Sequence, residues 1–509
     1  MFDRLIGFIS RLGAKLGVVR ELGKATEHRK ISVTDEVYKR IEVNKSIYKG
    51  YYKKWHDIEY KDSLGNIKHR DMSRLNLGKI IAEEMASLIF NEKCEVSVSA
   101  RDEKEEPTKE FVEQVLQDNF FIRDFQRYLE YMFALGGVAI KVYEHEGNIK
   151  LAYAVADSFI PLSTDSENVD EALFITQEVK DNKYYTLLEW NEWQDDTYVI
   201  TNELYESSNK EMLGYKVPLS TIYEELEEIT KIEGLTRPMF VYIKPNISNN
   251  IELQSPLGIS IYDNARDIIY QLDYMYDYLL HEFKLGKRRI AVDYEMLRPS
   301  FDAEGKTRFI FDTDDTVYFP MNGADGNKGV QDLSVGLRVS EIIEAINTNL
   351  NLLAMSTGFS SGTFTFEAGN VKTATQVISE NSKTFKSKKS HEILVEQGIR
   401  DLVKTILEVA NLTGVYSGSS DVDVVIDFDD SIVEDRTSNY QYYSQAVKDG
   451  LMPRIEAMTR QFKLTEEEAI DWIERIREEE RQSIQLDVEG ALDLVGLPAR
   501  DINNVEGGE

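Results

Sequence analysis

The chain is poor in cysteine and has no long apolar run. Among its 509 residues there is one cysteine, Cys94, so no intrachain disulfide can form and a zinc site made of several thiolates is excluded. No stretch approaches the roughly 20 uninterrupted apolar residues that a membrane-spanning helix needs. These absences predict a soluble protein that folds in a reducing compartment.

Basic charge is also scarce. Lysine and arginine together number 59, against 90 aspartates and glutamates, and the formal net charge is −31. Non-specific affinity for DNA arises mainly from basic side chains that neutralise phosphates. The composition therefore excludes a protein that grips nucleic acid by its overall charge. Either the function of this chain does not involve nucleic acid, or the chain must contact nucleic acid without binding it tightly.

Sequence signatures of several enzyme classes are missing. The chain has no Gly-rich phosphate loop followed by Lys-Ser or Lys-Thr, no dinucleotide fingerprint, no Gly-x-Ser-x-Gly and no His-Glu-x-x-His. The missing nucleotide site argues against an ATP-driven motor. We predict no enzymatic activity, no cofactor and no small-molecule substrate.

Two acidic clusters are candidate metal sites. The first, from Asp312 to Asp315, has Val317 where a calcium loop requires glycine, so the sharp turn fails. The second, in the segment VDVVIDFDD, could place carboxylates on one face of a strand, as a two-metal nuclease needs. A solvated strand edge, whose charges discourage aggregation, explains it as well and is favoured. Its members are Asp421, Asp423, Asp427, Asp429 and Asp430.

The N-terminal segment MFDRLIGFISRLGAKLGVVR has an amphipathic helical pattern. Basic residues interrupt its apolar run, so it does not match a secretory signal. Such a helix could lie on a membrane, but docking on the rest of the protein or on a partner is favoured. The apolar stripe consists of Phe2, Leu5, Ile6, Ile9, Leu12 and Leu16, and the basic residues are Arg4, Arg11, Lys15 and Arg20.

Residues 1–255 predict a mixed domain of helices and strands. Helical periodicity comes first, and strands rich in β-branched and aromatic residues dominate from about 150 to 245. The predicted elements are helices behind a Thr34 or Asp35 cap, over 75–90 and over 108–135, a strand at KCEVSVSA, and a β-hairpin that turns near Gly147-Asn148.

Three long helical patterns occupy the middle of the chain. The first follows a Ser255-Pro256 cap and runs from 256 to 284, a rod of about 43 Å. A small β insertion separates it from the second helix, at 335–356. The third starts with a capping box at Thr373–Gln376 and runs to about 411.

A loop rich in glycine, serine and threonine separates the second and third helices. It lies within the stretch MSTGFSSGTFTFEAGNVKTATQV, Met355–Val377, and its small residues predict flexibility. A basic cluster follows near the start of the third helix and is either a solvated face or a DNA contact. The aromatic residues of the loop are Phe359, Phe364 and Phe366, and the basic cluster consists of Lys383, Lys386, Lys388 and Lys389.

A row of tyrosines on the first rod points to an oligomer. Tyr270, Tyr274 and Tyr278 follow each other at i, i+4 spacing beside the aliphatic stripe of the same helix. Two apolar-leaning faces on one helix indicate packing against more than one neighbour. Further along, the C-terminal part predicts a strand at VDVVIDFDD and three helices, the last behind a Thr465 cap.

The order of these parts resembles the portal, or head-to-tail connector, proteins of tailed bacteriophages. The similarity covers nearly the whole chain and is greatest to the branch from phages of Gram-positive bacteria. The segments that carry it are IYKGYYKKWHDIEY, NLGKIIAEEMASLIFNE, SPLGISIYDNARDIIYQLD, TATQVISENSKTFKSKKSHE and the stretch from VVIDFDDSIVEDR through AVKDGLMPR to LTEEEAIDWIERI.

The resemblance implies an α+β fold divided as portal subunits are. It implies a wing, a stem of two long helices, a β-rich clip, a tunnel loop, a helix that crosses the wing and a helical crown. These parts would correspond to 1–255 for the wing, 256–285 and 335–356 for the stem helices, 286–334 for the clip, 357–372 for the tunnel loop, 373–414 for the long wing helix and 415–509 for the crown and tail.

The resemblance also implies a function and partners. Portal subunits form a ring, typically of twelve, at one vertex of the virion capsid. The ring assembles in the host cytoplasm with major capsid and scaffolding proteins. Double-stranded DNA passes through it during packaging and ejection, and it docks the terminase large subunit and then head-tail adaptor proteins. The alternatives are another capsid or scaffold-associated structural protein and a metal-dependent nuclease.

Site residues follow from the same resemblance. The tunnel loop would present small and aromatic residues to passing DNA, and the nearby lysines would supply a few phosphate contacts. The predicted DNA-facing residues are Gly358, Phe359, Ser360, Ser361, Gly362, Thr363, Phe364, Phe366, Gly369 and Asn370, with Lys372, Lys383, Lys386, Lys388 and Lys389 as possible phosphate contacts. The predicted partner-binding residues of the clip are Arg288, Arg289, Tyr294, Arg308, Phe311, Tyr318 and Phe319.

Overall fold

The computed structural model contains two compact units. The first comprises Met1–Gly369 and Glu380–Asp429, and the second comprises Asn370–Ser379 and Asp430–Glu509. The residues that the structure describes are 35–62, 65–99, 106–165, 168–253, 255–286, 289–293, 300–301, 307–308, 317–321, 330–332, 335–365, 381–428, 436–462 and 469–478. The amphipathic N-terminal pattern, the Thr373–Gln376 capping box and the Thr465 cap lie outside these residues.

The first unit has runs of helices and runs of strands, and nearly all of its strand pairs are antiparallel, as in an α+β fold. Its helices are α1 (Asp35–Tyr48), α2 (Lys53–His56), α3 (Leu77–Ile89), α4 (Glu106–Asp118), α5 (Phe121–Leu135), α6 (Arg266–Leu285), α7 (Val339–Ser356) and α8 (Ser382–Thr413). Its strands are β1 (Asp57–Lys61), β2 (Ile67–Asp71), β3 (Glu95–Val98), β4 (Val138–His145), β5 (Asn148–Val155), β6 (Phe159–Asp165), β7 (Asn168–Lys180), β8 (Lys183–Gln194), β9 (Thr197–Ser207), β10 (Tyr215–Val217), β11 (Ile229–Glu233), β12 (Phe240–Ile243), β13 (Arg289–Asp293), β14 (Ser300–Phe301), β15 (Thr307–Arg308), β16 (Val317–Met321), β17 (Val330–Asp332) and β18 (Val424–Asp427).

The helix predicted over 108–135 is two helices. α4 ends at Asp118, Phe120 adopts a left-handed conformation with φ 49°, and α5 begins at Phe121. Bulky residues rarely adopt positive φ, so the residue type at 120 gave no sign of a helix end. The apolar periodicity also predicted one continuous helix. The hairpin expected at Gly147-Asn148 is confirmed: β4 and β5 pair antiparallel, and Gly147 has φ 78°.

Two sheets give the first unit much of its core. One has six strands, in the order β10-β9-β8-β7-β6 with β11 also paired to β9, and the other has the order β12-β4-β5. The rings of Phe174 and Phe240 meet at 5.4 Å, and a buried ion pair joins Lys141 of β4 to Glu189 of β8 at 2.7 Å. A buried pair of this kind is tolerated because each charge has its partner.

The long helix α8 runs through the same core. It packs on β12 and β4, and Val395, Ile399, Leu402 and Ile406 are fully buried. Burial of each such side chain away from water contributes about 1.5–3 kcal/mol to the stability of the folded state. A side chain at Gly398 would meet Ile243 at 2.6 Å, so glycine permits the close approach of helix and sheet.

The first rod is shorter than the sequence predicts. α6 begins at Arg266, not 256, and its 20 residues make a helix about 30 Å long. The preceding segment is held against the end of α5 instead. The Ile261 N–H donates to the Phe133 carbonyl at 2.9 Å, and Gly258 packs directly on Gly136. These tertiary contacts override the Ser255-Pro256 helix signal.

The second rod, α7, begins at Val339 and lies against α6. Between the two rods the chain forms a small β region, as predicted. β13 pairs parallel with β16 and antiparallel with β17, and β14 pairs with β15. None of the described helices is long and apolar enough to cross a bilayer.

The strand predicted in VDVVIDFDD belongs to the first unit. β18 pairs antiparallel with β3, which places Val424 opposite Val98 and Asp427 opposite Glu95. Residues 424–427 are thus paired with a strand far back in the sequence, and the second compact unit takes up the chain again at Asp430, within the crown that the resemblance implies from 415. The second unit has α9 (Arg436–Lys448), α10 (Arg454–Phe462) and helical residues 469–478, and Phe462 contacts Trp472 at 5.7 Å between ring centroids.

Candidate functional site

The loop between α7 and α8 starts with a well-defined helix end. Gly358 has φ 85°, and the Phe359 N–H donates to the Ala354 carbonyl at 2.8 Å. This is the geometry of a Schellman motif, in which glycine takes the left-handed position that ends a helix. A side chain at Gly358 would also meet the Ser387 hydroxyl at 2.4 Å. The loop therefore leaves α7 in one fixed direction.

Ser360 then ties the loop to the beginning of α8. The Ser360 N–H donates to the Thr384 hydroxyl at 2.8 Å, and the Thr384 N–H donates to the Ser360 hydroxyl at 3.1 Å. Both residues are buried. Asn381, the residue before α8, makes no side-chain cap hydrogen bond. Ser360 thus supplies the first-turn acceptor that a helix usually obtains from its own N-cap.

A second turn brings the chain back to the surface. The Gly362 N–H donates to the Asn351 side-chain oxygen at 2.7 Å, and Ser361, Gly362 and Thr363 are exposed. The first half of the predicted flexible loop, residues 357–365, is therefore tied down by hydrogen bonds. Phe366, Gly369, Asn370 and Lys372 lie outside the described residues.

The aromatic side chains of this first half point inward. Phe359 is fully buried, and its ring meets that of the half-buried Phe364 at 5.1 Å. Ser360 is also buried. The exposed tip is instead formed by Ser361, Gly362 and Thr363, so direct contact between this half of the loop and a passing ligand falls to small residues.

The predicted basic cluster divides into exposed and buried members. Lys388 is 2% exposed and pairs with Glu392 at 2.9 Å, and Lys389 pairs with the same carboxylate at 3.2 Å. Lys383, Lys386 and Lys389 are exposed, and the Lys383 ammonium donates to the Met355 carbonyl. Burial removes Lys388 from any surface contact in this structure, whereas the three exposed lysines lie on the first turns of α8.

Two aspartates one turn apart fix α6 to the segment before α3. Asp273 contacts His56 at 3.1 Å and accepts the Leu75 N–H at 2.8 Å. Asp277 accepts two bonds from the Arg70 guanidinium, at 2.9 and 2.7 Å, and the Ser73 N–H at 3.0 Å. Burial acts to raise the pKa of Asp277, but the bonds from Arg70 and Ser73 outweigh it and the pKa falls below its ordinary value.

Asp273 and Asp277, together the carboxylate clamp, could not be found from the sequence patterns. Asp273 and Asp277 are four residues apart and so share one face of a helix, but nothing in the sequence pairs them with Arg70 or Ser73. Only the fold brings together groups about 200 positions apart in the chain.

The tyrosine row on α6 is exposed. Tyr274 is 55% exposed, and Tyr270 and Tyr278 are each 37% exposed. Beside them, a groove of about 230 Å³ between α6 and α7 is lined by Met275, Ile342 and Ala345. Arg338 closes one end: its guanidinium donates two bonds to Glu282 at 3.3 and 3.1 Å, which lower the pKa of that carboxyl. Tyr270 meets the Trp55 ring at 5.4 Å and Tyr278 accepts a bond from Arg338, so Tyr274 is the most exposed member of the row.

The predicted clip residues fall partly within the described strands. Arg289 is the first residue of β13, Arg308 the last of β15, and Tyr318 and Phe319 lie in β16. Arg288, Tyr294 and Phe311 lie outside the described residues.

The acidic segment around β18 does not form a metal site in the described part of the chain. There, no three carboxylate, histidine or cysteine side chains converge as metal ligands would. Asp427 is exposed, at the end of a short strand. Asp312–Asp315, Asp429 and Asp430 lie outside the described residues.

Comparison with known proteins gives one family. Residues 27–486 match the family described as phage portal protein, SPP1 Gp6-like. A solved structure titled "Neck of empty GTA particle computed with C6 symmetry" has a TM-score of 0.42 and 10% sequence identity, and covers 75% of this chain and 88% of that chain. No curated protein matches the sequence. Because the family match spans most of its length, the chain belongs to the phage portal protein family.

Proposed function

We propose that this chain forms the ring-shaped channel through which phage DNA enters and leaves the capsid. Family membership over residues 27–486 supports a portal role. The observation that carries the channel assignment is the exposed tip at Ser361–Thr363, held between two long helices by the Gly358 helix end and the Ser360–Thr384 hydrogen bonds. Such a tip is fixed in place and small enough to contact a moving duplex without gripping it.

Charge supports the same assignment. Every contact that neutralises a phosphate adds affinity for DNA. Such affinity would oppose the movement of a duplex that must slide through the channel. A net charge of −31 repels DNA and keeps it centred in a channel. The exposed lysines Lys383, Lys386 and Lys389, close to the loop in sequence, supply a few attractive contacts. Lys372 joins them as a proposed contact on sequence grounds.

The parts of a portal subunit map onto this chain as follows. Residues up to 255 form the wing, α6 and α7 form the stem, 286–334 form the clip, 357–372 form the tunnel loop, and α8 crosses the wing. Residues 415–509 form the crown and tail, which include Asp430–Glu509 of the second unit. The clip docks first the terminase large subunit and then head-tail adaptor proteins.

The chain acts as an assembly component and not as an enzyme. ATP hydrolysis by a separate terminase drives packaging. Subunits assemble in the host cytoplasm, with major capsid and scaffolding proteins, into a ring of about twelve around one capsid vertex. The exposed tyrosine row on α6 supports a subunit interface along the stem.

Electron microscopy of the purified protein tests the ring. We expect closed rings with an axial opening. A structural protein of another kind would give particles without a central opening. Cleavage of DNA in the presence of magnesium, abolished by Asp423→Asn with Asp427→Asn, would instead favour the nuclease.

Substitution of loop glycines tests the channel assignment. Gly362 has φ 89° and open space around it, so Gly362→Leu with Gly369→Leu makes the loop bulky without a clash at Gly362. We expect rings to assemble while packaging or retention of DNA falls. Gly65→Leu, also at positive φ and in open space, is the matched control. Normal packaging and retention in the double variant would contradict the assignment. Gly358 is left intact because it ends α7.

A further inference from the structure

A groove of about 550 Å³ lies beside β3, at the junction of α4 and α5. Its floor is formed by the buried side chains of Leu116, Phe121 and Cys94. Phe120 stands on its rim and is 61% exposed. A cleft of this size takes several large apolar side chains.

Phe120 has a costly conformation. Its φ of 49° and ψ of 41° lie in the left-handed region, which bulky residues rarely occupy. Glycine or asparagine in that position ends a helix at lower cost. The ring is not buried within the described chain. The Arg123 guanidinium lies over it at 4.5 Å from the ring centre. Strained residues of this kind concentrate at binding sites.

The groove also lies along β3, a strand that has one partner among the described residues. In the described part of the chain β3 pairs with β18 alone. The groove lies along β3 and includes Glu95, Val96 and Ser97. An open edge beside an apolar cleft is a common docking surface for another segment of chain.

We propose that the N-terminal segment of this chain, residues 2–16, docks its apolar stripe in this groove. The segment lies outside the described residues, and its pattern is read from the sequence. Phe2, Leu5, Ile6 and Ile9 supply the kind of side chain that the groove accommodates.

Charge complementarity favours this occupant. Residues 1–30 contain seven lysines and arginines and three acidic residues, in a chain whose net charge is −31. The groove carries Glu95 and Glu113, and the one cation that lines it, Arg123, is paired with Asp124 at 2.9 Å. A cationic amphipathic segment is therefore attracted where an acidic partner protein would be repelled.

Residues 17–34, which connect the N-terminal segment to α1, are long enough to permit docking within one subunit or onto the next. Between Leu16 and Asp35 an extended chain reaches about 60 Å. Docking does not depend on DNA passage, so it stands or falls separately from the proposed channel.

Disulfide trapping in the full chain tests this docking. Cys94→Ser removes the native thiol, and Ile9→Cys with Gln117→Cys places one thiol on the stripe and one on the groove. Docking raises the effective concentration of the two thiols, so we expect cross-linking about tenfold faster than in cysteine pairs of the same chain that lie off the stripe or outside the groove. Electrophoresis without reductant shows whether the disulfide lies within one chain or joins two chains.

Two matched variants serve as controls. Arg11→Cys with Gln117→Cys moves the thiol to the polar side of the same segment, and Ile9→Cys with Leu253→Cys moves its partner to an exposed apolar residue outside the groove. Equal cross-linking rates in all three pairs would overturn the proposal. Flotation of the wild-type protein with anionic lipid vesicles, lost with Ile6→Asp and Ile9→Asp, would assign the segment to a membrane and would also overturn it.

Phe120→Asn separates binding from folding. Asparagine tolerates the left-handed conformation, so the end of α4 is kept while the ring is lost. We expect the cross-linking rate to fall toward the control value with an unchanged or higher Tm. An unchanged rate would contradict a contact between the Phe120 ring and the docked stripe.

Discussion

At the scale of single residues, the loop between α7 and α8 depends on two short side chains. Gly358 is required because its φ is 85° and a Cβ would collide with Ser387. Ser360 is required because its hydroxyl accepts the Thr384 N–H in the first turn of α8. Both residues act on the path of the chain, so the exposed tip owes its position to atoms that a passing ligand never touches.

Removal of the Ser360 hydroxyl should weaken the start of α8. We expect Ser360→Ala to lower the free energy of unfolding by about 1 kcal/mol, the typical loss for an N-cap, because the Thr384 N–H is left buried without its acceptor. Denaturant unfolding measures this change. Ser360→Thr keeps the hydroxyl and is the control. Equal stability of the alanine variant and wild type would contradict the capping role.

Buried His391 should make stability fall in mild acid. Burial lowers the pKa of His391 to about 4, and its Nδ1 accepts the Asn246 N–H at 3.0 Å. Between the unfolded value near 6.5 and about 4, the unfolded chain binds the proton and the folded one does not. Stability is therefore full above about pH 6.5 and declines as the pH falls toward 4.

The measurement is a comparison of unfolding free energies for wild type and His391→Gln at pH 7 and pH 5. Glutamine can accept the same N–H but does not titrate. We expect wild type to lose on the order of 2 kcal/mol more than the variant over this range. Parallel pH profiles would show that His391 is not the titrating group.

At the scale of elements, α6 is held on two sides. Asp273 and Asp277 join it to the chain before α3, and Glu282 joins it to Arg338 before α7. Its tyrosine row remains exposed between these contacts. The carboxylates thus fix how the rod leaves the body of the first unit.

A double-mutant cycle on Arg70 and Asp277 tests the carboxylate clamp. Asp277→Asn keeps an acceptor for the Ser73 N–H, so the cycle with Arg70→Ala isolates the ion pair. We expect a coupling energy of about 1 kcal/mol, since Arg70 is partly exposed and solvent screens the pair. A coupling near zero would mean that the clamp contributes nothing to holding α6.

Elements with strong local patterns could be predicted from the sequence, and those set by distant contacts could not. The α3, α7 and hairpin predictions rest on periodicity and turn residues, and the structure confirms them within a few positions. The start of α6 was wrong because Gly258 packs on Gly136. The break at Phe120 was missed because its residue type argues against positive φ. The partner of β18 could not be predicted because that partner, β3, is more than 300 residues away.

The candidate site was predictable to a similar extent. Composition pointed to the loop, but the hydrogen bonds that order its first half join residues 24 positions apart. Phenylalanine in a polar loop suggested exposure, whereas Phe359 fills the core. A lysine cluster cannot by itself show that Lys388 is buried against Glu392.

At the scale of the whole molecule, acidic charge and exposed apolar surface act together. Net charge of −31 keeps copies apart unless a surface of sufficient area joins them. On the proposed function, the α6 face with the exposed Tyr274 is this surface and joins neighbouring subunits of the ring.

Tyr274→Asp should therefore impair ring assembly. A buried carboxylate without a partner is costly at an interface, so we expect sedimentation velocity to show mainly subunits in place of rings. Tyr440→Asp, at a tyrosine of similar exposure in the second unit, is the control. Intact rings from the Tyr274 variant would place the subunit interface elsewhere.

The pairing of β3 with β18 has a consequence for synthesis on the ribosome. Glu95–Val98 emerges early, but Val424–Asp427 is made only when most of the chain has been translated. Throughout that interval the nascent β3 edge lacks the strand that covers it. A message cut short before codon 424 would release a fragment with this edge open, and open edges recruit other strands into aggregates.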